Sequence, residues 1–359
     1  MVPLRILLSG PGLIGRKHAD LVAQSSRSKL AAIVAPLTAK NCAFAQERGV
    51  PIFDTIEKCL DLERIDAAII ASPNGYHYEQ AMTCLDRSIP LLVEKPLATT
   101  SEEAREICVR SIACQTPVLV GHHRTYSSFL PAARDFINSS RFGKPVVMQG
   151  AALFYKPDDY FEDGPWRTKL GGGPILINMI HEVGIMQYLF GPIRSVWAES
   201  SNARRGFAVE DTAVMGFRFC NGALGTFILS DVAASNRSWE MTTGENPTYP
   251  CYRKTECYHF SGTQGSLDFP NFFFRSYGKE NPASWWRDFE EGEISVTACD
   301  PLTEQFRHFE DVVLNLASPL MPASAGLSNI IVIEAIKMSL KEKCTIDIAS
   351  ISPMHIASA

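Results

Sequence analysis

Two short stretches carry residue types whose spacing can do chemistry. The first is Ser9-Gly10-Pro11-Gly12-Leu13-Ile14-Gly15, a G-x-G-x-x-G turn. In such a turn Gly10 permits the tight bend and Gly12 lets a pyrophosphate approach the backbone. Gly15 lets the following helix pack closely on the strand, and the helix N-terminus offers N–H donors and partial positive charge. An ordinary glycine-rich turn is the competing reading. The strand Leu4–Leu8 directly before it and the helix Arg16–Gln24 after it favour the nucleotide. The second stretch is Ile89-Pro90-Leu91-Leu92-Val93-Glu94-Lys95-Pro96-Leu97. Its apolar run reads as a buried strand, ended by the ionisable Glu94-Lys95 and stopped by Pro96. A lysine at the carboxyl end of a parallel strand faces the crevice where open α/β sheets bind ligands. To act as a base near neutral pH it must titrate well below about 10.4, and burial or a neighbouring positive charge would lower it. A surface ion pair between Glu94 and Lys95 is the bland alternative; adjacent strand residues point to opposite faces, which weighs against it.

A third stretch, Gly171-Gly172-Gly173, leads into a helix over Pro174–Phe190 that carries His181. A lone histidine on an apolar helix is often structural, but three glycines let the backbone run close to a ligand. Asn178, three residues before His181, reaches the same helical face; it can hydrogen-bond but cannot carry a proton as a carboxylate does. Arg124 and Tyr126 follow the last strand of the first domain and could line a substrate cleft. The neighbouring His122-His123 pair diverges at a strand end, and no carboxylate or cysteine cluster accompanies it, so a metal site is rejected. Asp158, Asp159, Glu162 and Asp163 read as a solvated acidic loop, and Trp285-Trp286 as core or subunit contact rather than a sugar-stacking platform.

The elements that must position these residues alternate at first. Strands are expected at Leu4–Leu8, Leu30–Ala35, Ile65–Ala71, Leu91–Val93 and Val118–Val120. Helices lie between them at Arg16–Gln24, Ala39–Arg48, Tyr76–Arg87 and from Ser101, the expected N-cap. Such alternation means a doubly wound parallel sheet, an α/β Rossmann domain over residues 1–123. From 124 to 359 the pattern becomes an α+β domain with a mostly antiparallel open sheet, for substrate binding and oligomerisation. Its strands are expected at Val146–Phe154, Ile193–Ser201, Thr212–Phe219, Ala223–Val232, Cys257–Phe260 and Gly265–Phe269, with Asn221-Gly222 as hairpin chemistry. Helices are expected near Ser128–Asn138, Leu302–Leu316 and Leu327–Leu340, and Asn236–Tyr252 reads as a long loop. A sheet covered on one face leaves the other for a homodimer or homotetramer.

A length of 359 residues suits two domains, and 46% hydrophobic residues can build a sizeable core. A net charge of −5 offers no basic face for nucleic acid. Ten cysteines without a C-x-x-C, and no secretory leader before the first strand, point to reduced thiols in the cytoplasm. No apolar run is read as long enough to span a membrane.

A Rossmann site for NAD normally places Asp or Glu about 20 residues after the glycine turn, on the ribose 2′-hydroxyl. That position here is Ala35, and no acidic residue occurs between Asp20 and Glu47. Thr38 and Lys40 follow, while Arg16 and Lys17 open the first helix. A 2′-phosphate would be repelled by a carboxylate and welcomed by these groups, so NADP is expected, with NAD as the alternative.

Together the motifs resemble the Gfo/Idh/MocA family (glucose–fructose oxidoreductase, inositol dehydrogenase and relatives). Four features match in order: Gly10-Pro11-Gly12-Leu13-Ile14-Gly15 with His18, Ser72-Pro73-Asn74 with His77, Glu94-Lys95-Pro96, and Gly171-Gly172-Gly173 leading to His181. The resemblance implies hydride transfer between a nicotinamide and a hydroxyl or carbonyl carbon of a sugar, cyclitol or similar small polar substrate. It implies Lys95 and His181 as catalytic residues. It implies cofactor contacts from Gly10, Pro11, Gly12, Leu13, Ile14, Ser72, Pro73, Asn74, His77, Glu94 and Lys95. Trp166-Arg167 matches a pair that contacts cofactor or substrate; a surface loop is the equal alternative. The family pattern places an aspartate four residues before the histidine, where this chain has Ile177. That departure leaves room for a sensor of cofactor or metabolite with weak catalysis. A glycosidase that holds NAD tightly is a further reading, but Pro174–His181 does not resemble that group.

Overall fold

The chain divides into two compact units, Met1–His123 with Leu302–Ile330, and Arg124–Pro301 with Ile331–Ala359. The structure, a computed structural model, describes residues 2–278 and 282–351. The last residues assigned to the second domain, 352–359, lie outside the described residues.

The first unit begins with β1 (Leu4–Ser9), α1 (Leu13–Gln24), β2 (Ser28–Val34), α2 (Ala39–Arg48), β3 (Ile52–Phe53), α3 (Ile56–Leu62), β4 (Ala67–Ile70), α4 (His77–Asp86), β5 (Leu91–Glu94), α5 (Ser101–Ala113) and β6 (Val118–Gly121). Its strands form one parallel sheet in the order β3-β2-β1-β4-β5-β6. The strands are short apolar runs because helices cover both faces of such a sheet; Ile6, Leu7, Leu8, Ile69, Ile70, Leu92 and Val93 are all fully buried. The order reverses direction between β1 and β4, which opens a crevice at the carboxyl ends of these strands. Thr38 caps α2 through its side-chain oxygen, and Gly49 ends that helix in the left-handed region at φ 65°. The expected cap of α5, Ser101, is corrected. Thr100 is the N-cap, accepting from the Glu103 N–H while the Glu103 carboxylate accepts from the Thr100 N–H. A capping box needs Glu three residues on, which Thr100 has in Glu103 and Ser101 lacks.

The second unit holds α6 (Phe129–Ile137), β7 (Pro145–Leu153), α7 (Asp158–Glu162), α8 (Ile180–Phe190), β8 (Ile193–Ser201), β9 (Thr212–Phe219), β10 (Leu224–Ser230), α9 (Trp239–Thr243), β11 (Tyr258–Gly262), β12 (Gly265–Phe269), β13 (Phe273–Ser276) and β14 (Glu290–Glu293). With β15 (Ile346–Asp347) they make one sheet in the order β14-β13-β12-β11-β7-β10-β9-β8-β15, antiparallel except for β7 with β10. Period-two burial along β9 turns Ala213, Met215, Phe217 and Phe219 inward, where Phe190 of α8 meets Phe219 at 5.4 Å and Phe260 at 5.5 Å between ring centroids. Val214, Ile228, Leu224, Val147 and Trp197 stand on the other face, each at least 39% exposed. Asn221-Gly222 turns β9 into β10 as expected, with Gly222 at φ 91°. Three expectations need correction. Asp158–Glu162 is a short helix rather than a loop, the Asn236–Tyr252 stretch contains α9, and Trp285 and Trp286 are not core, being 85% and 84% exposed.

The chain then returns to the first unit through α10 (Pro301–Val313). Phe306, Phe309 and Val312 recur at helical spacing and join Ile6, Leu8, Ile33 and Ile69 in one cluster. On the same helix Glu310 accepts from the hydroxyls of Ser25 and Ser28 at 2.5 and 2.8 Å and pairs with Arg27 at 2.9 Å. A single boundary near residue 123 therefore misses this return. The long α11 (Ala323–Glu342) has 20 residues and is apolar enough to cross a membrane by length and composition alone, contrary to the expectation that no segment is. Over half of its apolar window (56%) is buried within the protein, as suits a core helix.

Candidate active site

Three neighbouring strand ends in the first unit bring the motif residues together. Gly10, at φ +85°, leaves β1 so close to the turn after β4 that a Cβ there would stand 2.5 Å from Ser72 Cα. A Cβ on Gly15 would stand 2.0 Å from Gly10 O, whereas one on Gly12 would meet nothing within 4 Å. The turn thus closes tightly on the protein side and stays open where Gly12 begins α1. That helix has no side-chain cap and no acidic residue in its first turn. Its first N–H groups and positive end are open to an anion, which is what a dinucleotide pyrophosphate requires. The residues present fit such a cofactor. Leu13 is 84% exposed beside the opening, and Ile14 and Pro11 complete the turn.

Gln80 of α4 was not singled out by sequence reading, yet it ties two strand ends together. Its Oε1 accepts from Ser9 Oγ at 2.9 Å and from Ser72 Oγ at 2.8 Å. Pro73 and Asn74 lead from Ser72 into α4 through a single 3-10 turn. His77 is 1% exposed, and its two ring nitrogens lie 2.7 Å from Pro96 O and 2.9 Å from Ser72 O. It clamps the turn after β4 to the turn after β5 and keeps no nitrogen for a ligand.

Lys95 is half-buried at the end of β5. Glu94 before it is 6% exposed, with Oε1 2.8 Å from His18 Nε2. Gly121 on β6 makes room for it, since a Cβ there would lie 2.9 Å from the Glu94 carboxylate. Burial pushes the Glu94 carboxyl up. The His18 hydrogen bond and charge, with His123 and Lys95 nearby, outweigh burial and hold it below the usual range.

At the second strand end Ala35 is buried and Lys40 exposed, while Thr38 accepts from Asn41 N–H at 3.3 Å. The Arg16 guanidinium lies 4.1 Å from the centre of the Phe44 ring, with Nε donating to Pro11 O at 3.2 Å. The sequence carries no carboxylate between Asp20 and Glu47, and Ala35 N–H donates to Phe53 O at 3.0 Å.

In the second unit the three glycines form the entry to the His181 helix. Gly171 and Gly173 have φ +92° and +81°. A Cβ on Gly172 would lie 2.7 Å from the carbonyl oxygens of Trp166 and Arg167, and one on Gly173 2.7 Å from the Glu210 carboxylate. Glu210, missed from sequence, accepts from Ile175 N–H at 2.8 Å and so caps the helical run. That run opens with a π turn, Ile175–Met179, before α8. His181 is 7% exposed. Asn178 accepts from Lys156 Nζ at 2.8 Å. Lys156 was not singled out by sequence reading either; no motif marks it. Trp166 is 50% exposed, and Arg167 stacks 3.9 Å over Tyr160 and donates to Tyr160 O.

Arg124 and Tyr126, expected to line a cleft, are buried at 4% and 9%. Arg124 donates to Glu182 at 2.6 Å and to Glu240, and Tyr258 donates to the other Glu182 oxygen. Burial disfavours the Arg124 cation, but Glu240 and Glu182 more than restore it and hold its pKa above the ordinary value. The guanidinium is a strut beneath α8 rather than a surface donor. Among the described residues, no group of three His, Cys, Asp or Glu side chains is arranged to hold a metal ion.

Residues 4–122 match the sequence model of an oxidoreductase family with an NAD-binding Rossmann fold, and residues 131–268 match the Gfo/Idh/MocA C-terminal domain. The chain is 25% identical over 223 residues to 1,5-anhydro-D-fructose reductase of Ensifer adhaerens, covering 61% of this chain and 67% of that one. It is 27% identical over 199 residues to inositol 2-dehydrogenase of Mycolicibacterium gilvum, covering 53% of each. These matches therefore span about half to two thirds of the relatives' lengths. The fold is that of the WlbA dehydrogenase from Bordetella pertussis, solved with NADH and UDP-GlcNAcA: TM-score 0.76, 21% identity, 96% of this chain and 98% of that one.

The Glu94–His18 pair sets an expectation for acid stability. Because the folded pKa of Glu94 is depressed, its contribution is fully present above the ordinary value of 4.5 and is lost as pH falls through the lower folded value. Glu94→Gln should flatten the acid limb of stability against pH, measured by urea unfolding from about pH 7 down to about pH 3.5. An unchanged slope would show that the carboxylate is not stabilised by its surroundings.

Proposed function

We propose that this chain, which belongs to the Gfo/Idh/MocA oxidoreductase family, transfers hydride between a nicotinamide cofactor and a CH–OH or carbonyl carbon of a sugar, cyclitol or similar small polar substrate. The observation that carries the reading is the convergence of Gly10, Ser72 and Lys95 at the carboxyl ends of adjacent strands beside an uncapped helix N-terminus. The cofactor, when bound, supplies the hydride acceptor or donor. The open backbone at Gly12–Ile14 holds its pyrophosphate, with Ser72, Pro73 and Asn74 along the adjoining turn. His77 and Glu94 act by positioning, His77 on the Lys95-Pro96 turn and Glu94 on His18. Lys95 and His181 are the groups assigned to the proton that the substrate hydroxyl loses or gains, and Asn178 is assigned to orienting substrate. General acid–base help of this kind is worth about 10²–10⁴-fold in rate. Trp166 and Arg167 remain assigned to cofactor or substrate contact, with Trp166 the more exposed of the two. Ile177, where the family pattern has an aspartate, favours a second reading as a weakly catalytic sensor of cofactor or metabolite.

Lys95→Ala and His181→Ala should each lower kcat at least about a hundredfold while cofactor binding persists. Wild-type turnover in Lys95→Ala, measured with a sugar and polyol panel by absorbance of reduced cofactor, would rule out the mechanism. A wild-type chain that binds cofactor tightly yet oxidises nothing on the panel would favour the sensor.

For the cofactor we infer a preference for NADP over NAD. It rests on the missing carboxylate near Ala35 and on the exposed Thr38 and Lys40. The Thr38 oxygen already caps α2, so the 2′-phosphate would lean chiefly on Lys40 and on Arg16. Fluorescence titration with both reduced cofactors should give tighter NADPH binding that weakens in Lys40→Ala. Tighter NADH binding, unchanged in that variant, would reverse the assignment.

A homodimer or homotetramer through the open sheet of the second unit is the matching proposal for assembly. The register aligns Val214 with Ile228 and Leu224 with Val147, two apolar pairs on the outer face with Thr226 between them. Sedimentation should report an oligomer at micromolar concentration, and Ile228→Lys should shift it towards monomer. A wild-type monomer would remove the proposal.

A further inference from the structure

The second unit holds a cavity of about 780 Å³, in the size range of small-molecule sites. Four tyrosines, Tyr155, Tyr160, Tyr249 and Tyr252, line it together with Asn178 and Lys156. Lys156 is firmly placed. Its N–H donates to Asp231 O at 2.9 Å, its carbonyl accepts from Arg205 Nη2 at 2.8 Å, and Tyr155 beside it makes a β-bridge to Val232. Its side chain is only 12% exposed, and its ammonium has three donors. One goes to the neutral Asn178 amide at 2.8 Å. Asp231 Oδ2 pairs with the ammonium at 3.9 Å, and Oδ1 of that carboxylate already accepts from Arg205 Nε at 2.9 Å.

We propose that this cavity binds a small polyhydroxylated carboxylate, with the Lys156 ammonium on the carboxylate and the tyrosine walls against the carbon skeleton. The cation sits where water is largely excluded, with its counter-charge shared and held at a distance. An incoming carboxylate completes the pair with charge-assisted hydrogen bonds. The titration of Lys156 agrees with this incomplete compensation. Burial pulls it down to about 8; Asp231 and Glu240 raise it, and Arg167 and Arg205 lower it further. Glu240, also on the cavity wall, is 26% exposed and bonded to Arg124. It repels a second negative charge and accepts from hydroxyls, so one carboxylate fits better than a phosphate dianion. Aromatic faces suit the C–H surface of a sugar-like skeleton.

The proposal deepens the dehydrogenase reading by giving its substrate a charge, and rests on that reading only in calling the ligand a substrate. Binding is therefore measured without turnover, so failure here leaves the Lys95 test untouched. The probes are D-glucose, D-glucuronate and D-glucose 6-phosphate, titrated calorimetrically into the full chain at about pH 7. D-glucuronate should bind about tenfold more tightly than D-glucose. In Lys156→Met the preference should fall to within about twofold, and Lys156→Arg should retain most of it. Should Lys156→Met unfold, the wild type still decides: the preference should decline as pH rises from about 7 to about 9, as the ammonium loses its proton. Equal affinity for sugar and uronate in the wild type, no binding of the uronate, a preference that survives Lys156→Met, or tighter binding of the 6-phosphate would each overturn the proposal.

Discussion

The missing side chain at residue 10 is the constraint on which the first unit's arrangement depends. Backbone from the ends of β1 and β4 meets there with no room for even one methyl group. Because these strands are the point where the sheet order reverses, the same contact that closes the turn also sets the crevice beside it. Gln80 then holds the two ends through Ser9 and Ser72, and His77 carries the fixation across to the turn after β5. The half-buried Lys95 thus stands at the end of a series of contacts made by Gln80 and His77 between neighbouring strand ends. Positioning of this kind is what lets a single lysine act without reorganising its surroundings.

The second unit solves the same problem with charge instead of backbone. Arg124, Glu182, Glu240 and Tyr258 form a buried cluster, and Glu182 is the residue after His181. Anchoring Glu182 to both Arg124 and Tyr258 fixes the rotation of α8 and hence the direction of its neighbour. Such a cluster is expensive to assemble, since each buried ion costs several kcal/mol before pairing, and losing one partner costs about 3–5 kcal/mol. Its worth lies in orientation more than in net stability. At the other end of the helical run, Glu210 accepts from Ile175 N–H, and burial raises its own pKa against that bond. The run that carries Asn178 and His181 is therefore held at its start by Glu210 and near its middle through Glu182.

Much of this was legible in the sequence where local rules decide. Period, turn residues and strand–helix alternation located the glycine turn, the strand before Glu94-Lys95 and the hairpin at Asn221-Gly222. What escaped is what tertiary context decides. The capping box at Thr100 lay one residue from Ser101, which has the same capping chemistry but lacks a partner three residues on. The return of α10 to the first unit has a helical apolar stripe but no signal saying which sheet that stripe covers. The two-residue β3, the four-residue strands β13 and β14 and the five-residue α9 are too short for periodicity to register. Arg124 looked like a cleft residue because arginine is mostly exposed, and its two carboxylate partners lie 58 and 116 residues further along the chain.

Lys156 and Ile177 are best understood together. Residue 177 directly precedes Asn178, whose Oδ1 accepts from the Lys156 ammonium at 2.8 Å. A close carboxylate holds a lysine protonated and binds its charge within the protein. Isoleucine brings no charge, and the Asn178 amide accepts one hydrogen bond without adding a counter-charge to the one Asp231 and Glu240 supply in part. Asp231 could have taken that role, but Arg205 lies nearer to its carboxylate than Lys156 does. With isoleucine at 177 the His181 helix carries no carboxylate four residues before the histidine, and the Lys156 ammonium keeps partial compensation from Asp231 and Glu240. Under the proposal above, a ligand carboxylate would complete a compensation that Asp231 and Glu240 make only in part, since Arg205 and Arg124 share those two carboxylates.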